Sequence, residues 1–143
     1  MAAAGLLRLD WAHRITQYLS IDQSLPAVGQ GAIGIECREK DGDTQQLLAP
    51  LHHLLTAQRV LSERAMNHQL QGGCQVPIAG HAIIEKNNML FLQGLVGDVD
   101  GKKIIRDEIR GRIEEAEVLG MQLAKKLLRS GANDILKVLY NHE

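Results

Sequence analysis

Three β-prone runs in the second half of the chain constrain the fold more than any other feature. They cover residues 81–85, 89–96 and 103–110. Asn87-Asn88 and residues 98–101 separate them, and both stretches are typical of tight turns between neighbouring strands. The sequence therefore predicts a three-stranded antiparallel meander.

Helical patterns lie on both sides of these runs. Apolar residues recur at i, i+3 and i+4 over 54–70 and over 114–128, and Ser130-Gly131 ends the second stretch. A last short helix is predicted over 135–140. One Trp, two Tyr and one Phe are the whole aromatic content, so the core is expected to be aliphatic. The fold class predicted from about residue 51 onward is α+β, with helices covering one face of the sheet.

The first 50 residues have too few predicted elements to close a core. A helix is predicted over 2–19, interrupted near Asp10, and a strand over 32–37. A second helix is predicted to begin with Asp43 or Thr44 as its N-cap. These elements need apolar surface from elsewhere, so we expect them to require a partner.

Composition limits the classes of function. With 143 residues, 45% of them hydrophobic and 23% charged, the chain has enough apolar sequence for one core. A net charge of -1 without a basic tract gives no reason to expect nucleic acid or an anionic membrane as partner. No apolar run approaches the ~20 residues of a membrane-spanning helix. The first residues lack the features of a signal peptide, so a cytoplasmic location is expected.

Two patterns suggest sites that their context does not support. Residues 29–34 fit G-x-G-x-x-G, but these glycines follow a proline and lead into a predicted strand. A dinucleotide-binding loop instead follows a strand and opens a helix, so a tight crossover between domains is the better interpretation. The six histidines show no zinc-ligand spacing, and the adjacent His52 and His53 point about 100° apart on a helix, so no metal site is expected. Most histidines are expected to be solvated or to cap helices.

One cysteine stands in a loop. The stretch is Gly72-Gly73-Cys74-Gln75-Val76-Pro77. It lies between the predicted helix over 54–70, which Gly72 is expected to end, and β-prone residues 78–85. A structural cysteine usually lies within an apolar periodic run, so this position favours an accessible thiol, with a spare thiol as the alternative. A disulfide with Cys37, in the predicted strand, is not expected in a reducing compartment.

Two stretches resemble the porphobilinogen deaminase family, also called hydroxymethylbilane synthase. The first comprises Glu63-Arg64-Ala65-Met66-Asn67 and Leu70-Gln71-Gly72-Gly73-Cys74-Gln75-Val76-Pro77. The second, upstream at the family's usual distance, is Leu25-Pro26-Ala27-Val28-Gly29-Gln30-Gly31-Ala32-Ile33-Gly34-Ile35-Glu36-Cys37-Arg38. The resemblance runs from about residue 2 to residue 141. Family members are roughly twice as long and have three domains, so the chain is expected to be a C-terminal fragment.

The resemblance implies a domain assignment. Residues 1–31 would finish the second domain, and residues 32–50 would cross back as a strand and helix to complete the first. Residues 51–143 would form the C-terminal cofactor-attachment domain. The elements before residue 51 would then be helix-strand-helix remnants of two periplasmic-binding-protein-like α/β domains, both incomplete here.

The resemblance also implies a chemistry. Cys74 would carry a dipyrromethane cofactor through a thioether, and four porphobilinogen units would add head to tail with loss of ammonia. The product would be hydroxymethylbilane, a precursor in tetrapyrrole and haem biosynthesis. Gln30 and Gly31 would approach the pyrrole chain. Arg8 lies in a stretch similar to the family segment that bears a carboxylate-binding arginine, although the residues alone favour a solvated side chain.

Departures from the family pattern bear on activity. The family's catalytic aspartate lies in a Ser-Leu-Lys-Asp stretch of the first domain, which does not occur here. No catalytic residue is therefore predicted in this chain, and alone it is expected to be inactive. Expected partners are porphobilinogen, the linear pyrrole chain, and either the N-terminal portion or a second copy, because apolar surface on residues 1–50 would favour self-association. The alternative function is a non-catalytic α+β binding or self-association module.

Overall fold

A three-stranded sheet organises the chain in the computed structural model, which describes residues 2–72 and 76–140. The strands are β1 (Ile78–Ile84), β2 (Met89–Gly97) and β3 (Ile104–Arg112), antiparallel and in the order β1-β2-β3. Asn87 and Asn88, between β1 and β2, both have positive φ, at 60° and 56°. Asparagine tolerates this left-handed conformation, so the turn signal and the predicted meander are confirmed.

Helices of different lengths surround this sheet. They are α1 (Ala3–Arg8), α2 (Gly42–Leu48), α3 (Leu54–Gln69), α4 (Ala116–Leu127) and α5 (Asn133–Tyr140). α3 and α4 pack against each other and against the sheet, as the two long periodic stretches predicted. Gly131, with φ 109°, allows the turn between α4 and α5. None of the helices in the described residues is long and apolar enough to cross a membrane.

The core lies between the sheet and the α3–α4 layer, and it is aliphatic as predicted. Its largest fully buried side chains include the following: Met66, Leu70, Leu90, Leu92, Val96, Leu123 and Leu127. Met66 of α3 lies over Gly80 and Gly94, which face each other in β1 and β2. A Cβ at either glycine would collide with the Met66 side chain, so these two glycines make room for the helix.

Residues before the core remain largely exposed. No residue from 2 to 61 is buried, and the first buried residue is Ser62. Of the 17 large hydrophobic side chains exposed in the described residues, the 11 at positions 7–55 precede α3 or lie in its first turn. The strand predicted over 32–37 is wrong, since these residues form no regular structure. A strand needs backbone partners on a neighbouring strand, and this stretch pairs with none of β1, β2 and β3.

The helix predicted over 2–19 is correct only in its first part. α1 ends at Arg8, and Asp10 has φ 57°, which confirms the interruption predicted there. A single 3₁₀ turn, Ala12–Arg14, follows, and residues 15–20 are not helical. Their apolar side chains have no core to face, and an exposed short helix has little intrinsic stability.

The ends of two helices differ from the predicted ones. Asp41, rather than Asp43 or Thr44, caps α2, and its carboxylate accepts from the Thr44 N–H at 3.1 Å. The Arg38 guanidinium and this N–H lower the pKa of Asp41. At the end of α3, Gln71 rather than Gly72 takes the left-handed conformation, with φ 56°.

Candidate cofactor-attachment site

The predicted attachment residue, Cys74, lies outside the described residues, in the loop from α3 to β1. The start of this loop is held against α3. The Gly72 N–H donates to the Asn67 carbonyl at 2.9 Å, and Asn67 Nδ2 donates to the Gly72 carbonyl at 3.3 Å. A Cβ on Gly72 would collide with the Asn67 side chain, so this close approach requires glycine. The loop therefore starts from a fixed position at a helix-to-strand corner.

A tight crossover turn, residues 26–31, lies beside the outer edge of β1. The Gly80 N–H donates to the Pro26 carbonyl at 3.1 Å. Within the turn, Gly29 and Gly31 have positive φ, at 69° and 87°, and the Gln30 N–H donates to the Ala27 carbonyl at 3.0 Å. Residues 32–40, which follow, contain no helix, so the glycine pattern lacks the helix N-terminus of a dinucleotide-binding loop.

Glu63 of α3 joins this turn to the sheet. Its side chain is buried, with the residue 4% exposed, and each carboxylate oxygen accepts a backbone N–H. Oε2 accepts from Gly29 at 2.7 Å, and Oε1 accepts from Ala82 of β1 at 2.7 Å. Arg59, one helical turn earlier, donates from Nε to the Ala82 carbonyl. The N–H and the carbonyl of Ala82 are thus both hydrogen-bonded to side chains of α3. This edge of β1 can therefore be buried without leaving unpaired backbone groups.

A cavity of about 180 Å³ opens between the crossover turn, α3 and β1. Gln30, Arg59 and His81 are among the polar residues that line it. Burial lowers the pKa of His81; the Glu63 carboxylate opposes this shift and the Arg59 guanidinium adds to it. His81 is therefore partly buried, unlike the solvated or capping position expected for most of the histidines. His53, in contrast, caps α3 by accepting the Thr56 N–H through Nδ1 at 3.3 Å.

The structure places the other predicted site residues in different positions. Gln30 and Gly31 both line this cavity. Arg8 is the last residue of α1, is exposed, and is not among the cavity residues. Glu63 was missed as a site residue, although one sequence signal could have found it. It lies three positions from both Val60 and Met66, and an acidic residue at helical spacing from apolar residues on either side needs a specific partner.

A larger and more apolar cavity, of about 760 Å³, lies between residues 32–37, α2 and α3. Its apolar lining includes Ile33, Ile35, Leu48 and Val60. Cys37 also lines it and is an exposed free thiol. Within residues 2–72 and 76–140, no group of three or more His, Cys, Asp or Glu side chains could hold a metal ion.

These features define a class of protein: a mixed α+β domain in which a cysteine-containing loop connects a helix to an edge strand. Comparison with models of known protein families matches residues 57–129 to the C-terminal domain of porphobilinogen deaminase. Residues 1–46 match the dipyromethane cofactor binding domain of porphobilinogen deaminase. The chain belongs to the porphobilinogen deaminase family, which confirms the resemblance. Members of this family are transferases of tetrapyrrole biosynthesis that act on porphobilinogen and use a dipyrromethane cofactor.

Two hydrogen-bond donors line the cavity beside the crossover turn, the Gln30 amide and the Arg59 guanidinium. They fit such a cofactor, because its pyrrole units carry acetate and propionate carboxylates that accept hydrogen bonds. Gln30 Oε1 accepts from the Ala27 N–H at 3.1 Å, so its NH₂ group is the donor that this side chain offers. Arg59 uses Nε for Ala82, and its terminal nitrogens supply a fork suited to carboxylate. Both oxygens of Glu63 already accept backbone N–H groups, which limits its repulsion of an anion in the cavity.

Proposed function

We propose that this chain supplies the cofactor-attachment part of a porphobilinogen deaminase, with Cys74 as the tether. The observation that carries the proposal is a contact between the two family-like stretches. Gly29, in the upstream stretch, donates to Glu63, the first residue of the downstream stretch, at 2.7 Å. The two stretches therefore form one local structure beside the loop that contains Cys74.

Each proposed residue has a separate task. The Cys74 thiolate would form the thioether by attack on the electrophilic methylene carbon that porphobilinogen presents once its amine leaves as ammonia, since sulfur attacks well even when only partly ionised. The tethered dipyrromethane would supply the primer on which four porphobilinogen units are joined. Gln30 and Gly31 would lie against the pyrrole chain, and Arg8 would bind one of its carboxylates. Tethering keeps the reacting end at high effective concentration within the site.

The proposed domain organisation assigns residues 1–31 to the end of the second domain and residues 32–50 to a crossover that completes the first. Residues 51–143 form the cofactor-attachment domain. The exposure of residues 2–61 supports this division, because a stretch with so many apolar side chains and no buried residue needs a further surface. In this proposal the first two parts belong to periplasmic-binding-protein-like domains.

This chain alone is proposed to be inactive, because it lacks the aspartate-bearing stretch expected from the family. Given porphobilinogen, the purified chain should form no hydroxymethylbilane and no uroporphyrin derived from it. Addition of a chain that carries the two N-terminal domains of the family should load Cys74 and restore turnover, because the missing acid would then lie across the same cleft. Intact mass and absorbance of the porphyrin product measure the two outcomes.

A matched pair of cysteine variants provides the control for this experiment. Cys74→Ala should abolish both the added mass and turnover of the mixture. Cys37→Ala removes the exposed thiol at the apolar cavity and should leave both in place. Turnover by this chain alone, or by the Cys74→Ala mixture, would show that the tether or the acid is assigned wrongly.

The second candidate function is a non-catalytic self-association module. The apolar cavity of about 760 Å³ and the exposed side chains around it favour this alternative, because an apolar surface of this kind is commonly covered in solution. In the same experiment, this alternative predicts that Cys74 gains no mass with the N-terminal chain present, while sedimentation shows a dimer.

A further inference from the structure

We infer that Glu63 is a positioning residue that fixes the crossover turn relative to α3, the helix that precedes Cys74 in the sequence. The inference rests on the proposed function for the roles of Gln30, Gly31 and Cys74. The contact itself depends only on the geometry of the described residues. In this role Glu63 does not contact the cofactor. It holds the turn that carries Gln30 and Gly31, the residues proposed to contact the pyrrole chain.

One side chain of α3 makes a hydrogen bond to the turn, which is also attached to β1 through the Pro26 carbonyl and to the core through Val28. Inside the turn, the Gln30 N–H donates to the Ala27 carbonyl and the Ala32 N–H donates to the Gly29 carbonyl, both at 3.0 Å. These bonds shape the turn without attaching it to anything. Gln30 and Gly31 are exposed, so packing does little to hold them. The bond from Gly29 to Glu63 is the described hydrogen bond that connects the turn to α3.

The chemistry of the position specifies a carboxylate. Glu63 lies between two N–H donors, Gly29 on one side and Ala82 on the other, and both bonds are 2.7 Å long. A carboxylate has two acceptor oxygens and satisfies both donors. A glutamine of the same shape has one oxygen, so its NH₂ group would face an N–H and that bond would be lost. Burial strengthens the requirement, because an unpaired donor or charge away from water is costly.

The same helix, α3, also holds Gly72, the last described residue before Cys74. Glu63 and Asn67 are four residues apart on α3, which places them about 6 Å apart along the helix axis. Asn67 fixes Gly72, where the loop to Cys74 begins, and Glu63 fixes Gly29, next to Gln30. α3 therefore holds both Gly72 and Gly29, and loss of the Glu63 contact would free Gly29 from α3 while Pro26 stays bonded to Gly80 of β1.

Amide hydrogen exchange of the chain tests the inference. In the unaltered chain the Gly29 amide should exchange slowly, because a charged acceptor binds it. In Glu63→Gln, whose single amide oxygen serves only one of the two donors, exchange of the Gly29 or the Ala82 amide should accelerate roughly tenfold or more, which corresponds to loss of one charge-assisted hydrogen bond. Amides of β2, the central strand, should keep their protection. Glu117→Gln, the same change at an exposed position of α4, should leave Gly29 unaffected.

Three outcomes would overturn the inference. One is rapid exchange of Gly29 in the unaltered chain, a result that needs no variant. Another is unchanged exchange of both the Gly29 and the Ala82 amides in a folded Glu63→Gln chain. The third is equal acceleration at Gly29 and throughout β2, which would indicate a general loss of stability. If Glu63→Gln does not fold, Glu63→Asp, which keeps the charge but is one methylene shorter, takes its place.

A loading measurement separates this inference from the proposed function. If the mixture with the N-terminal chain loads Cys74, Glu63→Gln should slow the loading while Glu117→Gln does not. If Cys74 never gains mass in any chain, the proposed function fails. The exchange result at Gly29 still decides whether Glu63 holds the turn.

Discussion

His81 shows how a single partly buried side chain makes stability depend on pH. It lies on β1 beside Glu63 and Arg59, and burial lowers its pKa below the ordinary value of 6.5. The folded chain therefore binds fewer protons than the unfolded chain between the lowered value and 6.5. The contribution of His81 to stability is fully present above that window and is lost as the pH falls through it.

Denaturation with urea at several pH values measures this contribution. We expect the free energy of unfolding to fall between pH 7.5 and pH 5.5, a range above the ordinary pKa values of carboxylates, which lie near 4. His81→Gln should show a smaller fall, because the titrating group is gone. His13→Gln, at an exposed position, should keep the full dependence. Identical pH profiles for His81→Gln and the unaltered chain would contradict the assignment.

At the scale of elements, the contact between α3 and α4 depends on a glycine. Gly120 of α4 faces α3 so closely that a Cβ there would lie 2.9 Å from the Met66 nitrogen and 2.8 Å from the Ala65 Cβ. It would also collide with the Ser62 carbonyl. These are mostly backbone atoms of a helix, which cannot move without moving α3. The glycine is therefore required by packing, even though it lowers the intrinsic stability of the helix.

Replacement of Gly120 by alanine sets these two effects against each other. Better helix propensity contributes about 1 kcal/mol in favour of alanine. Overpacking against backbone costs about 3 kcal/mol, so we expect a net destabilisation of about 2 kcal/mol. Chemical denaturation followed by circular dichroism measures it. Gly5→Ala is the control, because nothing lies within 4 Å of its Cβ position. A Gly120→Ala chain as stable as Gly5→Ala would refute the packing argument.

Elements whose signals are local could be predicted from the sequence. The helices α3 and α4 and the three strands follow from side-chain periodicity and turn residues, and their predicted bounds were close. The strand predicted over 32–37 failed because pairing depends on a neighbour, which composition does not specify. Glu63 could be placed on a buried face, yet its partner Gly29 lies 34 residues earlier in the chain. Such a contact arises only from the tertiary fold.

At the scale of the whole molecule, the buried residues of the described part all lie at or after Ser62. The core elements run from α3 to α5, and residues 2–61 contribute no buried residue. The crossover turn is held to the core by Pro26 and Glu63, while residues 32–40 have no regular structure. Local opening should therefore be easiest between the turn and α2.

Limited trypsin digestion tests this division. Arg38 has a side chain that is 87% exposed, and Lys40 is also exposed, so cleavage should begin there. Arg59 and Arg64, within α3, should resist. Mass spectrometry of a time course should show a persistent fragment that begins at Asp41. Cleavage after Arg59 as fast as after Arg38 would show that α3 is not part of a stable core.

The position of the core along the chain also affects synthesis of the protein. Every buried residue in the described part lies between Ser62 and Leu136, and Ile135 and Leu136 of α5 complete the core. The ribosome must therefore make almost the whole of this sequence before the core can close. At translation rates of about 5–20 residues per second, the core side chains of α3, Met66 and Leu70, are in contact with solvent for on the order of ten seconds before α5 is made. During that time they expose apolar surface of the kind that makes unfinished chains prone to aggregate and that chaperones cover.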